Sequence, residues 1–370
     1  LMRTVNQVIR ENWHKFAGRI PLIAFSGGKD SLFLLLVLKR LLKQKAPWVV
    51  HVHWPLQHPS VAHIVQDVRR ITRVLSVTPL LTYEDAIQKG LAPISVWEPW
   101  CKKVFLAVGF WKAFSELGAE SHSQCLLIKA TTSEERGNHK IVEWDADLRC
   151  LVFNPLLQLT RKQIVESLAA SGWLPDIYPT FRRSYCLFCY SYGASTYEKF
   201  KSLHPQLMQR IEGLLEKINR LKPRLKFENR DELGHLKFSR WSRTDRIKTI
   251  GCLILQQDGS SLFRFVSTHA LKNALNCHIL TLINPFTYQI DQRTFFVPTH
   301  FQPIAKKAVL MAMNCVQCGY CLTKCYRGLK VAGRRFVRHK CNRCFGCIAP
   351  SQCIGWKFRT VVYEAAEVSV

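Results

Sequence analysis

A chain of 370 residues, 48% apolar and 21% charged, is long enough for two or three domains with real cores. The formal charge of +27 points to a polyanionic partner, and no apolar run reaches membrane-spanning length, the Leu-rich stretch after Ser31 being broken at Lys39. Fifteen cysteines behind an N-terminus with no secretory apolar segment argue against a disulfide-stapled secreted domain; they favour metal or redox chemistry in a reducing, cytoplasmic compartment.

A chain that opens on Leu1 instead of Met is expected to be a trimmed sequence. Residues 3–19 are predicted as an amphipathic lead-in helix. Ile20 to Phe25 form a short buried strand, Ser26-Gly27-Gly28-Lys29-Asp30-Ser31 a turn, and the residues from Leu32 through Lys43 a helix. The glycines let backbone N–H groups approach an anion and the helix end adds a favourable dipole, so this stretch is a phosphate cradle. Lys29 is expected to stand exposed on it, so that truncating this side chain spares the fold. Val49 to Trp54 is the second strand, and Val61 to Leu75 a helix with Val65, Val68, Ile71 and Val74 on one face. Val77 to Thr82 and Cys125 to Ala130 are further strands. The alternation predicts an α/β fold, an open and mostly parallel sheet with helices on both faces, with its ligand beyond the C-terminal strand ends.

Past the sheet, residues 196–221 are predicted as one long helix with Phe200, Leu203, Leu207, Ile211, Leu214, Leu215 and Ile218 inward. Arg220 to Lys248 is basic, with Phe227, Phe238 and Trp241 interleaved, and is either a solvated connector or a nucleic-acid surface. Residues 251–255 and 262–266 flank Asp258-Gly259 as a hairpin and, with Thr294 to Val297, suggest a small α+β module. Then come two cysteine runs: Cys315, Cys318, Cys321 and Cys325, and Cys341, Cys344, Cys347 and Cys353. Zinc usually takes pairs of cysteines with a longer spacer, whereas triplets at x2-x2 spacing wrap the corners of a 4Fe-4S cube. The runs resemble those of two-cluster bacterial ferredoxins. That resemblance assigns Cys353 to the first three cysteines and Cys325 to the second three. From Lys324 to Lys340 there are seven basic residues and no acid. These cations either raise the potential of anionic clusters or bind phosphate.

The Ser26–Ser31 turn lacks Walker A spacing and resembles the PP-loop of the N-type ATP pyrophosphatases. Trp100-Cys101-Lys102-Lys103, Thr132 to Arg136, Phe153-Asn154-Pro155-Leu156 with Leu159-Thr160-Arg161, and Phe181-Arg182-Arg183-Ser184-Tyr185-Cys186-Leu187-Phe188-Cys189 resemble, in order, elements of the phosphoadenosine phosphosulfate (PAPS) reductase family over about residues 18–220. The second strand departs from that pattern, ending His53-Trp54-Pro55 instead of Asp-Thr-Gly, and the family's catalytic C-terminal cysteine motif is absent. The resemblance implies an enzyme that binds ATP and magnesium through Ser26, Gly27, Gly28, Lys29, Asp30 and Ser31. Lys29 and Asp30 would be catalytic, with Arg136 neutralising phosphate charge. The departures favour an adenylylating sulfurtransferase acting on nucleic acid, RNA or DNA, served by an electron-donor protein and by a sulfur donor such as a cysteine desulfurase. The rivals are a ferredoxin-type reductase of PAPS or adenylyl sulfate in sulfur assimilation, and a non-catalytic scaffold. A third cluster on Cys101, Cys186 and Cys189, with one iron open and Arg182 and Arg183 alongside, is implied by resemblance to PP-loop thiolating enzymes. Against it stand a Cys186–Cys189 redox pair with Cys101 in the core, or closure of the cluster by Cys125 or Cys150. The expected domains are 1–221, PAPS reductase-like; 222–305, basic linker and α+β module; and 306–370, ferredoxin-type.

Overall fold

The computed structural model describes residues 2–43, 47–54, 57–91, 100–119, 122–176, 178, 199, 201–210, 212–213, 227–228, 237–238, 247–257, 260–284, 287–324, 329–332, 335–338, 344–358 and 361–368. Two compact units divide the chain: Leu1–Pro79 with Phe105–Cys189, and Leu80–Val104 with Tyr190–Val370.

The first unit opens with α1 (Met2–Trp13), whose Val5, Val8 and Ile9 are buried. It continues through β1 (Ile20–Ala24), α2 (Lys29–Leu42), β2 (Trp48–Val52), α3 (Pro59–Ile71) and β3 (Val74–Val77). The strand order is β3-β2-β1-β4-β6-β5, with β4 at Cys125–Ile128, β5 at Val142–Asp145 and β6 at Cys150–Phe153. All neighbours are parallel except β5, which runs antiparallel to β6 at the edge. Ile23 sits between Val49 and Ile128, and all four residues of β4 are fully buried, as a strand covered on both faces requires. One face packs on α1, α2, α3 and α6 (Arg161–Ala170). On the other face lies α5 (Val108–Glu116), where a Cβ on Gly109 would run into Val52, so the glycine is what brings helix and sheet together. The expected α/β sheet with helices on both faces is therefore what forms.

Four details differ from the sequence reading. The strand read at Val77 to Thr82 is instead β3, Val74–Val77, and residues 78–82 are not strand. Helix α2 begins at Lys29, inside the stretch read as turn. Helix α3 stops at Ile71, because Thr72 is extended, and Val74 opens β3 instead of extending the helical face. Between 199 and 213 the helix is interrupted at His204, ahead of Pro205, since a residue before proline is pushed out of helical geometry. Leu203 there is exposed and Met208, not a predicted inward residue, is buried. The remainder of 196–221 lies largely outside the described residues, as does most of Arg220–Lys248.

In the second unit α4 (Tyr83–Gln88) comes first. Two short strands, β7 (Phe227–Glu228) and β8 (Lys237–Phe238), pair with each other. The main sheet contains β9 (Ile247–Gln257), β10 (Ser260–Phe265), β11 (Tyr288–Gln289), β12 (Thr294–Pro298) and β15 (Val361–Val368), in the order β11-β12-β10-β9-β15. Strands β9 and β10 form the expected hairpin, Gln257 opposite Ser260. Helices α7 (Thr268–Leu275), α8 (His278–Ile283) and α9 (Gln302–Met313) cover it. Strand β15 pairs in parallel with β9, so residues on both sides of position 305 share one sheet. The buried Asn314 side chain ties its own helix end to β15 through both Tyr363 N and Tyr363 O, each at 2.9 Å. The backbone of β13 (Leu329–Ala332) and β14 (Arg335–Arg338) forms a hairpin, and α10 (Ile354–Phe358) precedes β15.

Candidate functional site

The chain passes from β1 to β2 and β3 on one side, then returns to β4 on the other side of β1. The loop after β1 therefore sits at the reversal of strand order, where open α/β sheets bind ligands. It is knotted together by hydroxyls. Ser31 Oγ donates to Gly28 O at 2.9 Å, lies 3.2 Å from Ser26 Oγ, and accepts from Ser26 N. Ser26 Oγ in turn accepts from Gly28 N. Gly27 has φ +75° and no room for a Cβ against Val61 of α3. Gly28 is the N-cap of α2, and the next amide, Lys29 N, donates to the Tyr178 hydroxyl at 2.6 Å. A ligand oxygen on this helix end would take the place that the Tyr178 hydroxyl fills.

Lys29 is a correction. It is buried, not exposed: its ammonium pairs with Asp30 at 2.8 and 3.0 Å and stands 5.7 Å from the centre of the Tyr178 ring. The two seryl hydroxyls converge, while the ammonium is held by the adjacent carboxylate. The sequence reading did not single out Tyr178. Beneath the loop, buried His51 bonds Phe25 O through Nδ1 at 2.9 Å, and burial holds its pKa below the ordinary value.

The Thr132–Arg136 stretch forms a short 3-10 segment, Ser133–Asn138. Glu134 accepts from Arg161 N at 2.8 Å and Glu135 pairs with the Arg161 guanidinium at 3.0 Å, fastening this loop to the N-terminus of α6. Burial alone would push the Glu134 carboxyl up, but the bond from the Arg161 N–H helps to outweigh it and the pKa falls. The side chain of Arg136 lies outside the described residues. Thr160 and Gln163 close a capping box on α6.

Cys101 is buried and is followed at once by a π-helical turn, Lys102–Ala107. It belongs to the 80–104 segment, which folds with the second unit: Lys89 Nζ donates to Gln317 at 2.6 Å, and Lys103 Nζ lies 5.5 Å from the centre of the Tyr320 ring. Cys186 and Cys189, with Arg182 and Arg183, lie outside the described residues. Cys125 and Cys150 are core thiols of β4 and β6, each pushed up to about 12, first by burial. Such thiols are inert.

Of the eight cysteines in the two runs, Cys315, Cys318, Cys321, Cys344, Cys347 and Cys353 are described, and Cys325 and Cys341 are not. Cys321 is within electrostatic reach of Cys318, Cys315, Cys353 and Cys347; burial first, and these neighbours next, push its thiol up. Cys318 is raised by burial and by Cys353 and Cys315. Cys347, assigned to the other cluster, acts on Cys321 as Cys315, Cys318 and Cys353 do, so this proximity does not choose between the two assignments. Among the described residues no three potential ligands converge on a single metal ion. A cubane makes a different demand, since each thiolate takes its own iron, and the all-thiolate donor set suits it. Two partners escaped the sequence reading. His278 Nε2 lies 3.3 Å from Cys321 Sγ, and the neighbouring Cys315, with burial, pushes the Cys277 thiol up. Neither falls in a spaced motif, so no pattern marks them.

Residues 20–176 match the family model of the phosphoadenosine phosphosulfate reductase domain. Among solved structures, the chain is similar to PAPS reductase from Candida auris in its phosphate complex at 15% identity and a TM-score of 0.36, covering 46% of this chain and 81% of that one. It is also similar to FMN adenylyltransferase from Candida glabrata with FMN and an ATP analogue, at 12% identity and a TM-score of 0.33, covering 44% and 54%. No curated protein matches it. Among the described residues no helix is long and apolar enough to cross a membrane. The Ser26–Ser31 loop and the strand-order reversal that carries it lie within residues 20–176, the part of the chain that matches the phosphoadenosine phosphosulfate reductase domain.

Proposed function

We propose that this chain is an ATP-dependent sulfurtransferase that adenylylates a nucleic acid and replaces the activated oxygen with sulfur. The observation that carries the reading is the Ser26–Ser31 loop, set on the N-terminus of α2 at the strand-order reversal of a PAPS reductase-type domain. A substrate oxygen attacks the α-phosphorus of ATP and pyrophosphate leaves. A sulfur nucleophile then displaces AMP. The amides of Gly28 and Lys29 and the Lys29 ammonium hold the departing pyrophosphate, where fixed positive charge is most useful. Asp30, whose side chain is 27% exposed, orients Lys29 and is the carboxylate available to a magnesium ion on the phosphates. Arg136 neutralises charge from the neighbouring loop. Iron–sulfur clusters, where bound by the C-terminal cysteines, would supply the electrons that release sulfur from a persulfide donor. The +27 charge supports a nucleic acid as substrate.

Anaerobic turnover with ATP and transfer RNA or DNA, followed by nucleotide chromatography, tests the reading. AMP and pyrophosphate are expected, and Lys29→Ala is expected to abolish both. Release of ADP and phosphate would sink it. The domain match itself favours a second reading, reduction of PAPS or adenylyl sulfate to sulfite. Sulfite formation by dithionite-reduced protein, with no dependence on nucleic acid, would put that reading first.

A further inference from the structure

The corner between α7 and α8 carries Cys277 and His278, two groups that the reaction above does not use. Cys277 is buried at 2% exposure. His278, half-buried, points Nε2 at Cys321 Sγ from 3.3 Å. The corner is fastened to the cysteine loop from two other points. Asn273 Nδ2 donates to Met313 O at 3.1 Å, and Gln317 Nε2 reaches Asn276 O at 3.5 Å. The dipeptide is thereby set against the first and third cysteines of the 315–321 run.

We propose that His278 is a positioning and tuning residue for an iron–sulfur cluster on Cys315, Cys318, Cys321 and Cys353, in which His278 Nε2–H donates to Cys321 Sγ. The inference rests on the cluster reading given above. A ligand thiolate has no proton and can only accept, so the pairing requires the hydrogen on Nε2 and fixes the ring tautomer. Hydrogen bonds to ligand sulfurs draw off electron density and stabilise the more negative, reduced state, which raises the reduction potential. The low dielectric of a half-buried site strengthens the bond.

The experiment uses the full chain, reconstituted anaerobically with iron and sulfide. Iron and sulfide per chain are counted, and midpoint potentials are titrated by electron paramagnetic resonance of the reduced protein. His278→Ala is expected to keep the parent's iron and to lower the potential of one cluster, leaving the other as an internal reference. His278→Gln, which can still donate, is expected to recover part of the shift. Full iron content with unmoved potentials in His278→Ala would overturn the proposal and leave the corner as packing. Loss of one cubane's iron in His278→Ala would overturn it by making His278 a ligand. A parent chain that binds no iron would remove the underlying reading too, a result distinct from either.

Discussion

Gly27 answers two demands at once, a φ of +75° and a Cβ position already filled by Val61. An alanine there costs about 1–2 kcal/mol for the left-handed backbone and about 1–3 kcal/mol more for overpacking. Gly118 has φ +78° and open space around it, so Gly118→Ala isolates the backbone cost. Urea unfolding is expected to show Gly27→Ala as the more destabilised, by the overpacking cost; equal losses would mean that Val61 simply gives way. His51 sets a pH window. Burial depresses its pKa below 6.5 against the raising effect of its bond to Phe25 O. The unfolded chain then binds a proton that the folded chain refuses, so stability is flat above 6.5 and falls as pH drops below it toward the folded value. His51→Gln is expected to lose less stability than the parent between about pH 7.5 and pH 5.5, and parallel losses would discard the assignment. The glycines and the loop serines were legible because turn chemistry is local. The burial of Lys29 was not, because part of its cover, Tyr178, comes from 149 residues away.

Elements were legible where one period ruled. Strands β1 and β4 are short apolar runs, and the β9–β10 hairpin has its Asp-Gly. The α3–β3 junction misled because Val65, Val68, Ile71 and Val74 keep helical spacing across it. What ends the helix is the extended backbone at Thr72, whose N–H still closes onto Val68 O. Segment 80–104 shows the limit of linear reading: it lies inside the domain match, yet it folds with the second unit through Lys89–Gln317 and Lys103–Tyr320. Cys101 rides on that segment, immediately before a π-helical turn of a kind frequent at functional sites. Iron counting decides whether it is a ligand. Three cubanes give about twelve irons per chain and two give about eight. The variant Cys101→Ala, Cys186→Ala, Cys189→Ala is expected to lose one cubane's worth, and retention of every iron would remove the third site.

At the scale of the molecule, charge outlives pairing. Several described carboxylates are already matched: Asp30 with Lys29, Asp145 with Lys129, Glu135 with Arg161 and Glu364 with Lys248. The net +27 therefore leaves many cations for a partner. In the sequence, seven basic residues and no acid run from Lys324 to Lys340, and of these Lys330, Arg335 and Arg338 are strand residues of the β13–β14 hairpin. Two roles compete for these cations. On a nucleic acid each would neutralise a phosphate and release a counterion, so log affinity would fall linearly with log salt, by about 0.9 in slope for each duplex DNA contact. Beside anionic clusters each would instead raise a reduction potential. Binding of duplex DNA by the parent and by the variant Lys330→Gln, Arg335→Gln, Arg338→Gln, measured from low to moderate salt, separates the two. If all three cations touch phosphate, the variant's slope is expected to be shallower by about 2.7 while the cluster potentials stay put. An unchanged slope with lowered potentials would assign the hairpin to the clusters. Failure of the parent to bind duplex DNA or transfer RNA at low salt would give the positive charge to small sulfonucleotides, and the reductase reading would then lead.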